Sequence, residues 1–231
     1  MASLRGLLLI FLLTQSAEPQ TVDIHTLGHI VRFFDENYQT LSVEKHPQQY
    51  AVAINVQKTQ CETNFVPTNN NFLQGEDANN VKNARPLYEG QELIVAGVKK
   101  MEGYSIHAER LLLIPTEGIA TPPMTNLLNR GNGDRCTIFY TYKSPCVKSC
   151  LDERGDYNIL PGLENWSKHN SIKAFVFKHI FWNEKNIETL KENFKKIVAY
   201  VPLFRCVSEN ECYACKGEGN TPIDTHCLPS N

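Results

Sequence analysis

A histidine, a glutamate and two cysteines in this chain are spaced to do zinc chemistry. His107-Ala108-Glu109 stands within S-I-H-A-E-R-L-L-L, and Cys146 and Cys150 stand within Y-K-S-P-C-V-K-S-C-L. His107, Cys146 and Cys150 together offer one imidazole and two thiolates. Three protein ligands is the number a catalytic zinc takes, because its fourth position stays open for water. Glu109, two residues past the histidine, is placed to take a proton from that water and hand it to a leaving group. The plainer readings are chance for His-Ala-Glu and a disulfide for the cysteines. Two cysteines on one turn of one helix bond each other poorly, which favours the metal.

Two helix starts are expected to hold these groups. Ser105 reads as an N-cap, with a helix running through the apolar stretch Leu111-Leu112-Leu113. Ser144-Pro145 reads as a second start, with proline near the first helical position and Cys146 and Cys150 on one face. Facing helix N-termini concentrate positive potential and favour thiolate over thiol.

The remaining elements follow in order. Residues 22–38 carry apolar residues at helical spacing. Strands are expected at 50–56, 92–98, 136–142, 172–177 and 198–204, with a helix at about 184–197. Between the first two strands lies a long polar stretch containing Cys61, either a lid over the site or a loop tethered by that cysteine. A second breaker-rich insertion spans 115–134. Alternating strands and helices imply an α/β fold, with a five-stranded mixed sheet flanked by helices.

Residues 1–17 read as a signal peptide: Arg5, then an apolar run from Gly6 to Leu13, then small residues. That run is too short to span a bilayer. The expectation is a secreted, extracellular protein with no membrane segment after signal removal. The domain proper is placed at 18–205 and a Cys-rich tail at 206–231. The cysteine count agrees with export, for there are eight. With two on zinc, Cys61, Cys136, Cys206, Cys212, Cys215 and Cys227 are left for disulfides, in a connectivity sequence alone does not fix. Cys212 and Cys215 also have the spacing of half a metal site. Asn165-Trp166-Ser167 is the one glycosylation sequon, placed in the loop before the fourth strand.

Charge points to no polyanion. Lys and Arg number 23 against 25 Asp and Glu, a formal net charge of −2, and no basic run stands out. Lys191, Lys195 and Lys196 alternate with Glu188 and Glu192, as on a solvated helix face. Any binding to nucleic acid is therefore expected to depend only weakly on salt.

The H-x-E and Pro-Cys motifs resemble those of the cytidine deaminase-fold superfamily, and more narrowly the secreted AID/APOBEC-like deaminases. The order of elements extends the resemblance over roughly residues 22–205. Two departures stand out. Three residues separate the cysteines instead of two, and Lys143-Ser144 stands where the polynucleotide editors carry Trp-Ser. The resemblance implies a three-layer α-β-α fold, zinc on His107, Cys146 and Cys150, and Glu109 as proton shuttle. It also implies hydrolytic conversion of cytosine to uracil in single-stranded DNA or RNA, in a defence role. Lys178, His179, Phe181 and Trp182 then fall in the loop that lines the nucleic-acid channel, the aromatics to stack on bases and the cations to meet phosphate. Phe181 and Trp182 serve equally well as core residues under the next helix. The rival functions are a deaminase of free nucleosides, cytidine or adenosine, and a secreted binding protein that keeps zinc as a staple.

Overall fold

The structure is a computed structural model that describes residues 21–229 except 132 and 185. The expected signal peptide lies outside the described residues. The chain begins with α1 (Ile24–Tyr38), β1 (Tyr50–Gln57), α2 (Ala78–Asn83), β2 (Leu87–Glu89) and β3 (Leu93–Gly97). It continues with β4 (Lys99–Lys100), β5 (Ser105–Ile106), α3 (Ala108–Leu113), α4 (Pro123–Asn129) and β6 (Arg135–Lys143). It ends with α5 (Leu160–Ser167), β7 (Ile172–His179), α6 (Ile187–Val198), β8 (Leu203–Ser208) and β9 (Glu211–Ala214).

The main sheet runs β2-β3-β1-β6-β7-β8-β9. Strands β6, β7 and β8 are parallel neighbours and the other pairings are antiparallel. The five expected strands are β1, β3, β6, β7 and β8. The two additions are the edge strands β2 and β9, too short to carry a readable period. Strand β1 is central and buried on both faces from Tyr50 to Val56, hence its unbroken apolar run.

Helices cover both faces. On one face Leu27, Ile30, Val31 and Phe34 of α1 pack on Val52, Ile54, Ile138 and Tyr140. The Asp23 carboxylate caps α1, accepting from the backbone N–H groups of His25 and Thr26. On the other face α3, α4, α5 and α6 pack on Ala51, Ala53, Phe139, Phe175 and Phe177. The core is thus two apolar layers sharing one sheet, the α-β-α sandwich that alternating elements imply.

Several local expectations are corrected. The long stretch after β1 is no lid: Phe72, Leu73 and Val81 bury themselves with α1, on the sheet face opposite His107. Cys61 ties it to Cys136 of β6. The last parallel strand starts at Leu203, because Ile197 and Val198 stay in α6 and serve its core face. The sheet continues across residue 205 through the β8–β9 hairpin, which Cys206–Cys212 bridges. That hairpin seats on α1 at Gly28, where a Cβ would overlap the Glu209 carbonyl. Cys215–Cys227 closes the last loop.

Candidate active site

The site gathers at the carboxyl ends of β6 and β7, where open α/β sheets bind their ligands. Because β1 runs antiparallel to β6, with Ala51 opposite Thr141, the residues before β1 arrive beside the end of β6. The Lys143 N–H donates to Gln49 Oε1 at 2.9 Å. Helix α3 brings His107 and Glu109 against the same edge. Its start differs from the expected one. Ser105 and Ile106 form β5, paired with β4, and His107 itself is the N-cap residue.

The cysteine segment is a wide turn and not the expected helix. Both Ser149 and Leu151 donate to the Cys146 carbonyl, at 3.4 and 3.1 Å. Glu184 Oε1 takes the Val147 N–H at 3.0 Å. The extra residue between the cysteines is absorbed by this turn, and helix formation waits until Leu160. The turn still delivers Cys150 to His107, whose Nδ1 lies 3.2 Å from the Cys150 sulfur.

Glu109 is buried, and its two oxygens differ. Oε1 accepts from Gln49 Nε2 at 2.8 Å and from the Thr141 hydroxyl at 2.6 Å. Oε2 is buried with no hydrogen-bond partner among the described residues. Burial raises the carboxyl above the ordinary range, against the hydrogen bond from Thr141. The hydrogen bond with Cys150 pulls the Cys146 thiol down to about 5, with His107 helping and burial opposing. The same contact pushes Cys150 well up. His107 is raised chiefly by its hydrogen bond to Cys146.

The ligand atoms of His107, Glu109 and Cys150 lie within 4.8 Å of one another and are positioned to hold a metal ion. Cys146 lines the same cavity, of ≈180 Å³, with Gln49, Val98, Lys143, Ser144 and Phe181. Two readings of the metal set compete: His-Glu-Cys from the closest convergence, and His-Cys-Cys with Glu109 set apart. The second accounts for Glu109 better, since Gln49 and Thr141 already hold Oε1. An imidazole and two cysteine sulfurs, beside a carboxylate with a free buried oxygen, make a donor set suited to zinc.

A family model described as Secreted Novel AID/APOBEC-like Deaminase 1 matches residues 25–231. The chain belongs to this family. A search among curated proteins finds no match. The family's description carries the words secreted and deaminase, and no helix among the described residues is long and apolar enough to cross a membrane.

In this family member the four expected channel residues separate. Phe181 lines the site cavity, and its N–H donates to Ser144 Oγ at 2.9 Å. Trp182, 70% exposed, lies beside it with ring centroids 5.9 Å apart, so it is not a core residue. His179 packs edge-on against Tyr142, and burial lowers its pKa. Lys178 is corrected: its ammonium pairs with Asp35 Oδ2 at 2.6 Å, on the α1 face of the sheet. Asn165 is exposed but lies in α5, not in a loop, and its amide donates to Thr125 Oγ1 at 3.3 Å.

The sequence reading missed Gln49 and Thr141, which hold Glu109. Thr141 carried a signal: it is a polar residue on the same face of β6 as Phe139. Gln49 carried none, because the pairing of β1 with β6 had to be known first.

Proposed function

We propose that the protein is a zinc-dependent hydrolytic deaminase that converts cytosine to uracil in single-stranded DNA or RNA outside the cell. One observation carries the reading. Glu109 is buried beside His107 and Cys150, with one oxygen anchored and the other free. A structural zinc staple has no use for such a carboxylate.

Zinc held by His107, Cys146 and Cys150 would supply a water acidified toward neutrality. Glu109 Oε2 is the oxygen free to take its proton. The anchored Oε1 keeps the carboxylate aimed into the cavity as it passes that proton to the ring nitrogen of the base. The water oxygen bonds to the ring carbon that bears the amine. Glu109 takes the second proton from that added hydroxyl and delivers it to the amine, and the C–N bond breaks to release ammonia and leave a carbonyl on the ring. Proton transfer of this kind contributes ~10²–10⁴-fold.

The cavity of ≈180 Å³ is smaller than the roughly 300–1,000 Å³ of drug-sized pockets, so it suits a single base. Phe181 lines it and is the residue to stack on that base. Because a base enters whatever chain it hangs from, free cytidine or adenosine is the second reading. The test is base conversion by the secreted protein on a panel of single strands and free nucleosides. Glu109→Gln should abolish conversion and keep the metal. Conversion of monomers alone would favour the nucleoside reading, and absence of any conversion would leave the zinc-stapled binding protein.

A further inference from the structure

A groove of ≈720 Å³ adjoins the site cavity, and Gln49, Val98 and Lys143 line both. Its cations are Arg85, Lys99, Lys100 and Lys143, and no carboxylate lines it. Among the described residues none of these four side chains makes an ion pair. The chain as a whole has more acids than bases, 25 against 23. A patch of four unpaired cations therefore stands out against the rest of the surface. It is invisible as a run because its members come from different elements. Arg85 precedes β2, Lys99 and Lys100 form β4 just past the end of β3, and Lys143 ends β6. The antiparallel order β2-β3-β1-β6 brings these ends together.

Arg85 is fixed in place. One of its Nη atoms donates to the Tyr38 carbonyl at 2.6 Å, and the guanidinium lies over the Tyr50 ring, 5.3 Å from its centroid. Lys100 is exposed, while Lys99 and Lys143 are half-buried along the groove. A surface of this kind holds a row of negative charges.

We infer that this groove binds the phosphates of a single-stranded polynucleotide whose target base sits in the cavity. The inference rests on the proposed deaminase reading for that base. What favours a nucleic-acid strand over other polyanions is continuity. A base against His107 and Phe181 puts its own backbone at Lys143, where cavity and groove meet. A sulfated glycan would use the groove and leave the cavity idle. Aromatic Phe181 and Trp182 beside the cavity add stacking to charge, the combination that single-strand binders use.

The experiment uses the full secreted chain carrying Glu109→Gln, so that binding is read without turnover. Fluorescence anisotropy with unstructured cytosine-rich DNA and RNA oligonucleotides is followed from 50 to 200 mM salt. Single strands lose affinity with a log–log slope of about 0.7 per neutralised phosphate, so four contacts give about 2.8, or roughly 50-fold across that range. Adding Lys99→Gln and Lys100→Gln should halve the slope and leave only about sevenfold. Lys143→Gln is the independent second variant and should remove about 0.7. Lys191→Gln with Lys195→Gln, on α6, should change nothing.

Slopes unaltered by the groove variants overturn the proposal. So does a sulfated saccharide of matched charge that an oligonucleotide cannot displace, which would make the groove a glycan site. The two readings fail separately. Conversion of oligonucleotides by the wild type, with groove variants binding normally, sinks the groove alone. The expected slopes with no conversion of any substrate sink the deaminase reading alone.

Discussion

The Thr141 hydroxyl donates to Glu109 Oε1 across 2.6 Å, joining β6 to α3. Two residues further on, β6 ends at Lys143 and the chain turns into the cysteine segment. One strand thus aims the carboxylate and delivers the sulfurs. Gln49 completes the arrangement by donating to both Glu109 and Thr141 while accepting from the Lys143 N–H. Thr141 in the sheet and Gln49 just before β1 therefore hold Glu109 Oε1 in place.

Removing that hydroxyl should cost turnover and not metal. A hydrogen bond to a charged group is worth about 1.5–3 kcal/mol, and each ~1.4 kcal/mol is a decade in rate. Thr141→Val is expected to lower kcat by roughly 10- to 100-fold with zinc content unchanged, and Thr141→Ser should recover most of the loss. Single-turnover rates beside metal analysis check this. A wild-type kcat in Thr141→Val would mean that Glu109 is aimed by something else.

Metal analysis also separates a ligand from a shuttle. Cys146→Ala and Cys150→Ala should each empty the site, whereas Glu109→Gln should retain zinc. A ligand that binds only the folded state stabilises it, so a strong chelator should lower the melting temperature of wild type and of Glu109→Gln alike. Loss of zinc in Glu109→Gln would favour the set His107, Glu109 and Cys150, whose ligand atoms converge within 4.8 Å.

What could be read in the sequence followed from local chemistry. His107, Cys146 and Cys150 were legible because they offer the three ligands a catalytic zinc takes, Glu109 because it stands two residues past the histidine, and the fold because α1, β1, β6 and β7 carry clear periods. The Cys146–Cys150 helix was misread because Pro145 marks a turn as readily as a helix start, and the turn is settled by Glu184 from a distant loop. Lys178 was misread because strand alternation, not loop membership, sends its side chain toward Asp35. Gln49 and the cations of the groove were illegible, since each owes its place to strand pairing between residues far apart in sequence.

The disulfide framework has a direct readout. Non-reducing mass mapping should return Cys61–Cys136, Cys206–Cys212 and Cys215–Cys227, with Cys146 and Cys150 as free thiols. Cys61–Cys136 spans a sequence separation of 75 and ties the long α1-side excursion to β6. Replacing both cysteines with serine should cost about 2–5 kcal/mol of stability. A bridge between Cys146 and Cys150 in active protein would refute the zinc assignment.

The start of α1 should leave a pH signature. Burial pushes Asp23 up, but hydrogen bonds from Thr26 and Thr63 outweigh it, and its pKa lies below the ordinary value. A depressed carboxyl stabilises above its unfolded pKa, near ~3.9, and loses that contribution as pH falls through the folded value. Asp23→Ala should cost about 0.5–2 kcal/mol at pH 7. The gap between variant and wild type should narrow below pH ~4. Urea unfolding at the two pH values measures it, and a gap that widens in acid would contradict the cap.

The last prediction concerns how a strand is held. Trp182 is 70% exposed, and among the described residues its aromatic neighbour is Phe181. Removing an exposed side chain of this kind should change stability by no more than about 0.5 kcal/mol, so a loss of binding in Trp182→Ala would not come from misfolding. Stacking on a base is worth ~1–3 kcal/mol. Trp182→Ala should thus weaken single-strand binding roughly tenfold, while its melting temperature stays at the wild-type value. Phe181→Ala should act differently, because Phe181 lines the cavity itself. It should lower turnover on short and long strands alike, whereas the Trp182 effect should fade on single nucleosides, which offer no second base to stack. Anisotropy and conversion assays on cytidine, a trinucleotide and a long strand separate the two. Unaltered oligonucleotide binding in Trp182→Ala would place the strand elsewhere on the surface.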